Sequence, residues 1–110
     1  MQSSRYAYKF APRAESDLDN TLKYIEEELH NPKAAQDLVI ELFEKIDIVR
    51  EFPLSGVALD NEFISDQTLR RIFVRNYVVF YKPDDATKTI IIIRMIYGGR
   101  NIDEILKNSV

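Results

Sequence analysis

The sequence predicts an α+β fold in which an antiparallel helical hairpin packs on one face of a mainly antiparallel sheet. Two apolar stripes with helical spacing occupy the first half of the chain, with acidic and polar residues between their members. Three segments rich in β-branched and aromatic residues follow in the second half, separated by turn residues. Helices and strands segregated along the chain in this way are typical of α+β domains.

The N-terminal half predicts one strand and two helices. Residues 6–10 alternate between aromatic and other side chains, which predicts an N-terminal strand. Pro12 suits the first turn of a helix. Asn31 can cap the second helix with Pro32 in its first position, and that helix should end before Pro53. Because the joint between the helices is short, they should lie antiparallel as a hairpin. The two stripes consist of Ala14, Leu18, Leu22, Ile25 and Leu29, and of Ala35, Leu38, Val39, Leu42, Ile46 and Val49.

The C-terminal half predicts a three-stranded antiparallel meander followed by a short C-terminal helix. At the first turn of the meander, Arg75-Asn76, Asn76 would tolerate left-handed backbone geometry. Residues 53–68 show no sustained period and are predicted to form an irregular loop. The strands are predicted at residues 69–74, 77–82 and 88–97, and the helix at residues 102–107.

The last predicted strand is apolar on both of its faces. Ile90, Ile92 and Ile96 alternate with Ile91, Ile93 and Met95. If the helical hairpin covers one face of the sheet, the other face offers an apolar groove, and such a groove usually marks a site for a partner. The alternative is that most of these side chains belong to the core.

Composition indicates one domain that spans residues 1–110 and has one hydrophobic core. The chain has 110 residues, 45% of them hydrophobic. The absence of cysteine excludes disulfides and thiolate metal sites and suits the reducing cytoplasm. No apolar stretch has the length of a signal peptide core or a membrane span, so we expect a soluble cytoplasmic protein. We expect no metal or other cofactor, because the sequence contains no metal, nucleotide or flavin motif; Gly98-Gly99 ends a strand and is no phosphate-binding loop.

The distribution of charge divides the chain into an acidic front half and a basic back half. Residues 11–66 carry 5 basic and 14 acidic side chains, whereas residues 67–100 carry 7 basic and 2 acidic ones. One interpretation is that the solvated helix faces are simply rich in glutamate; the other is that the basic half contacts something anionic. Because the net charge is −3, we expect no direct binding of nucleic acid by this chain.

Seven short segments carry a resemblance to a known family, in the same order and over nearly the whole chain. Together they resemble the RelE/ParE toxins of bacterial type II toxin–antitoxin systems, and the closing motif around Gly98-Gly99 is more similar to the ParE branch. The segments are Ala14-Glu15-Ser16-Asp17-Leu18, Tyr24-Ile25, Asn31-Pro32-Lys33-Ala34-Ala35, Phe52-Pro53-Leu54-Ser55-Gly56, Leu69-Arg70-Arg71-Ile72-Phe73-Val74, Tyr77-Val78-Val79-Phe80-Tyr81 and Ile93-Arg94-Met95-Ile96-Tyr97-Gly98-Gly99-Arg100-Asn101.

The resemblance implies a toxin that a cognate antitoxin neutralises in a heteromeric complex, for example in plasmid stabilisation. Antitoxins of this kind have a disordered tail that folds onto the toxin as a helix and an extended segment. The apolar sheet face could receive that tail. The residues expected to contact the antitoxin or the cellular target are Arg70, Arg71, Phe73, Arg75, Val78, Phe80, Arg94, Tyr97, Arg100, Ile102, Ile105 and Leu106.

The RelE branch cleaves messenger RNA in the ribosome, which requires cations at the phosphate and a group that transfers protons. By resemblance, Arg71 and Arg100 match two of its basic positions. Phe73, Val78 and Leu106 stand where that branch has further basic residues and a C-terminal tyrosine. The resemblance therefore implies no confident catalytic residue, with Arg71 and Arg100 as candidates if the chain is a nuclease.

Other residues could in principle supply a catalytic acid. Tyr77, Tyr81 and Tyr97 are candidates, although tyrosines on strands more often pack or form structural hydrogen bonds. The single histidine, His30, lies at the joint between the helices, where an exposed junction residue is expected.

Three functional hypotheses follow from the resemblance. The first is a ParE-like inhibitor that binds DNA gyrase and traps it on cleaved DNA, a role that needs a binding surface and no catalytic residues. The second is a RelE-like ribosome-dependent endonuclease. The third is a non-toxic orphan that acts only with its antitoxin in autoregulation of the operon.

Overall fold

The computed structural model describes residues 5–59 and 69–99 of the chain. The elements follow the predicted order of strand, helical hairpin and meander, with one additional short strand before the meander. The predicted C-terminal helix lies outside the described residues. The elements are β1 Ala7–Phe10, α1 Pro12–Lys23 with a π-helical turn Tyr24–Glu28, α2 Pro32–Glu51, β2 Val57–Ala58, β3 Arg70–Val74, β4 Tyr77–Asp84 and β5 Thr89–Tyr97.

Both helices begin where the sequence predicts, and α2 ends before Pro53 as expected, but α1 ends at Lys23 and continues as the π-helical turn Tyr24–Glu28, which the regular spacing to Leu29 did not predict. Pro12 opens α1, and its missing N–H costs nothing in the first turn. The Asn31 side chain accepts a hydrogen bond of 3.1 Å from the backbone N–H of Ala34 and so caps α2. At the joint His30 has a φ of 49°, a left-handed conformation that reverses the chain.

The five strands form one sheet in the order β1-β5-β4-β3-β2. β1 is parallel to β5, and all other neighbouring pairs are antiparallel. The prediction of an irregular loop over residues 53–68 was wrong at Val57–Ala58, which pair with Arg71 and Arg70 as β2. Two residues are too short to show a period, so the pairing partner alone defines this strand.

The turn between β3 and β4 also differs from its prediction. Arg75 adopts the left-handed conformation with a φ of 54°, whereas Asn76 does not have a positive φ. The backbone N–H of Arg75 donates to the Glu41 carboxylate of α2 at 3.1 Å, so a tertiary contact holds this residue. Sequence preference for asparagine in left-handed geometry therefore gave the right turn but the wrong residue.

The two helices cover one face of the sheet, and the main core lies between the helices and that face. Its members are fully or almost fully buried and come from both helices and from the three inner strands. A second, smaller cluster lies on the opposite face, here called the outer face. The main core includes Ala14, Ile25, Ala35, Leu38, Leu42, Ile46, Val49, Val74, Val79, Tyr81, Ile90, Ile92 and Met95; the outer cluster is Leu69, Val78, Phe80 and Ile96.

A register shift in the middle of β5 changes which of its residues face the helices. Phe80 pairs with Arg94 but its neighbour Tyr81 pairs with Ile92, so Ile93 has no partner on β4 and forms a bulge. Before the bulge Ile92 faces the helices; after it, Met95 does. The strict alternation expected from the sequence is therefore interrupted at Ile93.

Charged side chains from the helices close two places where an inner strand extends past its neighbour among the described residues. β1 ends at Phe10, so β5 is an edge strand beyond Ile92, and there the Asp17 carboxylate of α1 accepts from Met95 N at 3.0 Å. β2 is too short to cover all of β3, and Lys45 Nζ of α2 donates to Phe73 O at 2.6 Å. Charges at such edges discourage the addition of a further strand. No helix among the described residues has the length and hydropathy to span a bilayer.

Candidate functional site on the outer face of the sheet

Cross-strand pairing places several of the predicted contact residues on the outer face. Ile72 and Val74 pack against the helix-side core, so Arg71 and Phe73, which alternate with them on β3, point to the outer face. The partners of Arg71 are Val57 on β2 and Phe80 on β4, and the partner of Phe73 is Val78. Directly paired residues share a face.

The outer face grades from buried at its centre to exposed at its β2–β3 edge. Phe80 and Val78 are 0% and 5% exposed, whereas Phe73 and Val57 are 50% and 54% exposed. Of the residues predicted to bind a partner, Phe80 and Val78 therefore lie in the outer cluster, and Phe73 is open to contact. Large apolar side chains half exposed on a sheet face are candidates for an interaction surface.

Arg71 occupies the boundary between the buried and exposed parts of this face. Its side chain is half-buried, and its guanidinium carbon lies 5.6 Å from the centre of the Phe73 ring. The Nε atom is buried and has no hydrogen-bond partner in residues 5–59 and 69–99. A buried donor without a partner costs free energy, about 1–3 kcal/mol, and calls for an explanation.

Arg70, the neighbour of Arg71, is committed to the protein's own backbone. Its Nη1 donates to the carbonyl oxygens of Gly56 at 2.8 Å and Leu54 at 3.2 Å. These bonds tie the segment that follows α2 to β3. Arg70 was predicted as a contact residue, and in the structure it has a structural task.

Tyr81 holds the same segment from inside the core. The side chain is fully buried, its hydroxyl donates to Pro53 O at 2.8 Å, and the hydroxyl accepts from Gly56 N at 2.8 Å. A Cβ at Gly56 would lie 2.6 Å from the Tyr81 hydroxyl and 2.8 Å from Arg71 O, so only glycine fits there. Burial raises the pKa of Tyr81. Both hydrogen bonds of this hydroxyl are used structurally, which leaves it poorly suited to act as a general acid.

Arg94 is likewise paired within the protein. Its Nε donates to the Asp17 carboxylate at 2.7 Å and its Nη2 at 3.1 Å, a bidentate pair whose side chains are 8% and 17% exposed. Arg94 lies next to the Ile93 bulge, and from there its side chain reaches α1 at the sheet edge. Arg75 contacts Glu41 at 3.5 Å. Both arginines were predicted as contact residues, and both have acidic partners.

The remaining candidate tyrosines border a crevice of about 740 Å³ between the π-helical turn and the ends of β4 and β5. Tyr77 and Tyr97 pack edge to face with ring centres 5.8 Å apart, and Tyr24 lies on the opposite wall. Burial raises the pKa of Tyr77, and the neighbouring Tyr97 and Tyr24 raise it further. The Tyr77 phenol therefore stays protonated at neutral pH.

The described part of the chain contains no candidate metal site. Residues 5–59 and 69–99 contain no group of three or more His, Cys, Asp or Glu side chains that could hold a metal ion. His30 is exposed at the joint between the helices, as predicted. Arg100, Ile102, Ile105 and Leu106, which were predicted as contact residues, lie outside the described residues.

Sequence reasoning missed Asp17 and Lys45, the two helix residues that close the strand edges. Both stand on the polar face of a helix, where the sequence pattern predicts solvent exposure. The only local signal for Asp17 is its position between the apolar residues Ala14 and Leu18. Their partners, Met95 N and Phe73 O, are backbone atoms distant in sequence, so only the folded chain pairs them.

The family of the chain is decided by comparison with models of known protein families. The model for the ParE toxin of the parDE type II toxin–antitoxin system matches residues 8–102. The chain belongs to the ParE toxin family. The resemblance to RelE/ParE toxins and the predicted fold class are thereby confirmed. A search of curated protein sequences finds no significant match.

Two solved structures share the fold of this ParE-family chain. A chain of the chromosomal ParDE system from P. aeruginosa superposes with a TM-score of 0.66 at 18% identity, covering 86% of this chain and 98% of that one. A chain of the RelBE2 toxin–antitoxin complex from Mycobacterium tuberculosis has a TM-score of 0.59 at 21% identity, with 84% and 98% covered. Identities this low speak for the fold alone.

Proposed function

We propose that this ParE-family toxin acts by binding DNA gyrase as an inhibitor and that a cognate antitoxin neutralises it. An inhibitor of this kind acts in the cytoplasm through an interaction surface and requires no catalytic residues. The outer face of the sheet, with half-exposed Phe73 and Val57 around Arg71, is the surface we assign to partner binding.

The observation that carries the proposal is the apolar character of positions where the nuclease branch has basic residues. Val78 is buried in the outer cluster, and Phe73 presents a half-exposed ring. Neither side chain can stabilise a phosphate or move a proton. A protein that inhibits by binding loses nothing through these replacements, because apolar and aromatic side chains are favourable in interfaces.

The use of the other polar groups on the sheet supports the same proposal. Arg70 and Arg94 are engaged with backbone carbonyls and with Asp17, and the Tyr81 hydroxyl makes two structural hydrogen bonds. Of the arginines described on the strands, Arg71 keeps a buried donor without a partner. Among residues 5–59 and 69–99, one strand arginine with an unpaired donor falls short of the several cations that transition-state stabilisation at phosphorus usually requires.

A pair of parallel assays tests the proposal with the purified full-length chain. Titrated into a gyrase supercoiling reaction, the chain should inhibit supercoiling and accumulate cleaved DNA. In a translating extract it should leave transcripts intact. Addition of the protein encoded next to this gene should abolish the effect on gyrase.

Cleaved transcripts with unaffected gyrase would overturn the proposal and point to the nuclease hypothesis. In that case Arg100→Ala and Arg71→Ala should abolish cleavage. If expression leaves the growth of a susceptible host unchanged and neither assay responds, the role is restricted to autoregulation with the antitoxin.

A further inference from the structure

We infer that Arg71, together with Phe73 and Val57, forms a receptor for an acidic side chain flanked by apolar residues in a peptide segment of the antitoxin. The inference rests on the proposed neutralisation by an antitoxin and specifies the chemistry of the segment that binds. We call these three residues the β2–β3 receptor. They are joined by strand pairing and alternation, since Val57 pairs with Arg71 and Phe73 is two residues further along β3.

The unused hydrogen-bonding capacity of Arg71 is the first argument. Its neighbours in the sheet are satisfied: Arg70 by two carbonyl oxygens, Arg94 by Asp17 and Arg75 by Glu41. The Arg71 Nε–H is buried, and no described residue supplies an acceptor for it. In an arginine, Nε–H and one Nη–H form the side-on fork that binds a carboxylate with two parallel hydrogen bonds. An acceptor supplied by a partner would complete this fork.

The stacking of Arg71 on Phe73 is the second argument. The guanidinium carbon lies 5.6 Å from the ring centre, within the range of a cation–π contact. This contact restricts the long side chain before any partner arrives. A preorganised arginine loses less conformational entropy on binding than a freely moving one, and the planar fork is better suited to it than a lysine.

The apolar surroundings favour a peptide over nucleic acid. Val57 and Phe73 are about half exposed, and next to them a cavity of about 340 Å³ includes exposed Ile48 of α2 in its lining. Aliphatic side chains on either side of a carboxylate would fill these positions. A nucleic acid backbone would instead require several unpaired cations in a row, and the neighbouring Arg70 is already engaged.

The closed edge of β3 decides how the segment lies on the protein. Beyond Val57 no strand of the described residues pairs with the edge of β3, and Lys45 Nζ donates to the Phe73 carbonyl at 2.6 Å. An added strand would have to displace this bond. The segment should therefore lie across the outer face and contact the side chains of the β2–β3 receptor, without extending the sheet.

The experiment measures binding of the protein encoded next to this gene to the full-length chain by calorimetry. Arg71→Ala should raise the Kd at least about tenfold, and Arg71→Lys should raise it nearly as much, because a lysine keeps the charge but loses the fork. The matched control is Lys33→Ala, since Lys33 is a highly exposed cation at the start of α2 and pairs only with Asp37 in its own helix. This control should leave the Kd unchanged.

Charge reversal locates the partner group. With Arg71→Glu on the toxin, one Asp→Arg or Glu→Arg substitution in the antitoxin tail should restore binding at least partly. Unfolding midpoints measured for each variant exclude a loss of fold as the cause.

Each other outcome overturns the inference in a different way. If wild-type chain binds the antitoxin and Arg71→Ala binds equally well, the β2–β3 receptor is wrong while the proposed neutralisation stands. If the wild-type chain does not bind at all, both fail. If Arg71→Ala weakens binding of a single-stranded oligonucleotide but not of the antitoxin, the receptor is for phosphate and the peptide inference is overturned.

Discussion

The two faces of the sheet use similar strands for different purposes. The helix-facing side combines fully buried residues such as Leu42 of α2 with Ile90 and Ile92 of β5. The outer side has fully buried Phe80 at its centre but half-exposed Phe73 and Val57 toward the β2–β3 edge. The difference suggests that stability depends mainly on one face, which leaves part of the other free to bind. The following predictions test this division, from the largest expected effect on stability to the smallest.

The helix-facing core should be most sensitive to truncation. Leu42→Ala removes a side chain that is 0% exposed and should lower the free energy of unfolding by about 4 kcal/mol, because it leaves a cavity among packed residues. Ile40→Ala is the control on the same helix, since Ile40 is 52% exposed. Urea denaturation of both variants measures the difference. Equal losses would contradict the assignment of the core to this face.

The Asp17–Arg94 pair should rank second. Asp17→Ala leaves Arg94 without its bidentate partner and Met95 N without its acceptor, and should cost about 3 kcal/mol. Asp19→Ala removes an exposed carboxylate two residues away on the same helix and should change stability little. Thermal unfolding of the two variants makes the comparison. A neutral Asp17→Ala would show that the edge of β5 needs no such closure.

Removal of the Tyr81 hydroxyl should have a smaller effect. Tyr81→Phe removes two structural hydrogen bonds and should cost about 2 kcal/mol, because Gly56 N and Pro53 O lose their partner. Hydrogen exchange at Gly56 N–H should accelerate in this variant. Tyr97→Phe, at a half-exposed tyrosine, is the control and should leave that amide unchanged.

The same hydroxyl predicts an alkaline loss of stability. Burial raises the pKa of Tyr81 in the folded state above its ordinary value near 10. The folded state therefore retains this proton where the unfolded state has released it, so the stabilising contribution is complete below the unfolded pKa and declines as pH rises through the folded one. Between pH 8 and 11 the free energy of unfolding should fall less steeply with rising pH for Tyr81→Phe than for the wild-type chain. Parallel curves would count against this assignment.

The exposed part of the outer face should matter least for stability. Phe73→Ala changes a ring that is 50% exposed and should alter the free energy of unfolding by no more than about 0.5 kcal/mol. Because this ring stacks on Arg71, the same variant should still weaken antitoxin binding measurably. A variant that loses stability without losing affinity would reverse the roles assigned to the two faces.

Much of this architecture could be predicted because local signals agree with it. Pro12 and Asn31-Pro32 mark the helix starts, and the structure has the helices there. The apolar stripes predicted most of the helix residues of the main core, from Ala14 to Val49, although Leu29 is 55% exposed. Caps and periodicity depend on residues close together in sequence, so a single sequence contains the information.

The candidate site was only partly predictable. Arg71, Phe73 and Val78 were predicted to share a surface, and β3–β4 pairing does bring them to one face. The sequence did not predict how far each side chain is exposed or paired: among the described residues Val78 is buried, Phe73 is half exposed, and Arg71 has an unpaired donor. Arg70 and Arg94 look equivalent to Arg71 in sequence, and only their partners distinguish them.

The sequence by itself determined the two helices, the four longer strands, their order and the resemblance to the family, since these depend on spacing and motifs along the chain. The tertiary structure alone decided that Val57–Ala58 is a strand, that Ile93 forms a bulge and that Asp17 and Lys45 close the strand edges. In each case the deciding partner lies more than ten residues away in sequence. A hydrogen bond between such groups depends on the geometry of the folded chain, which no local pattern contains.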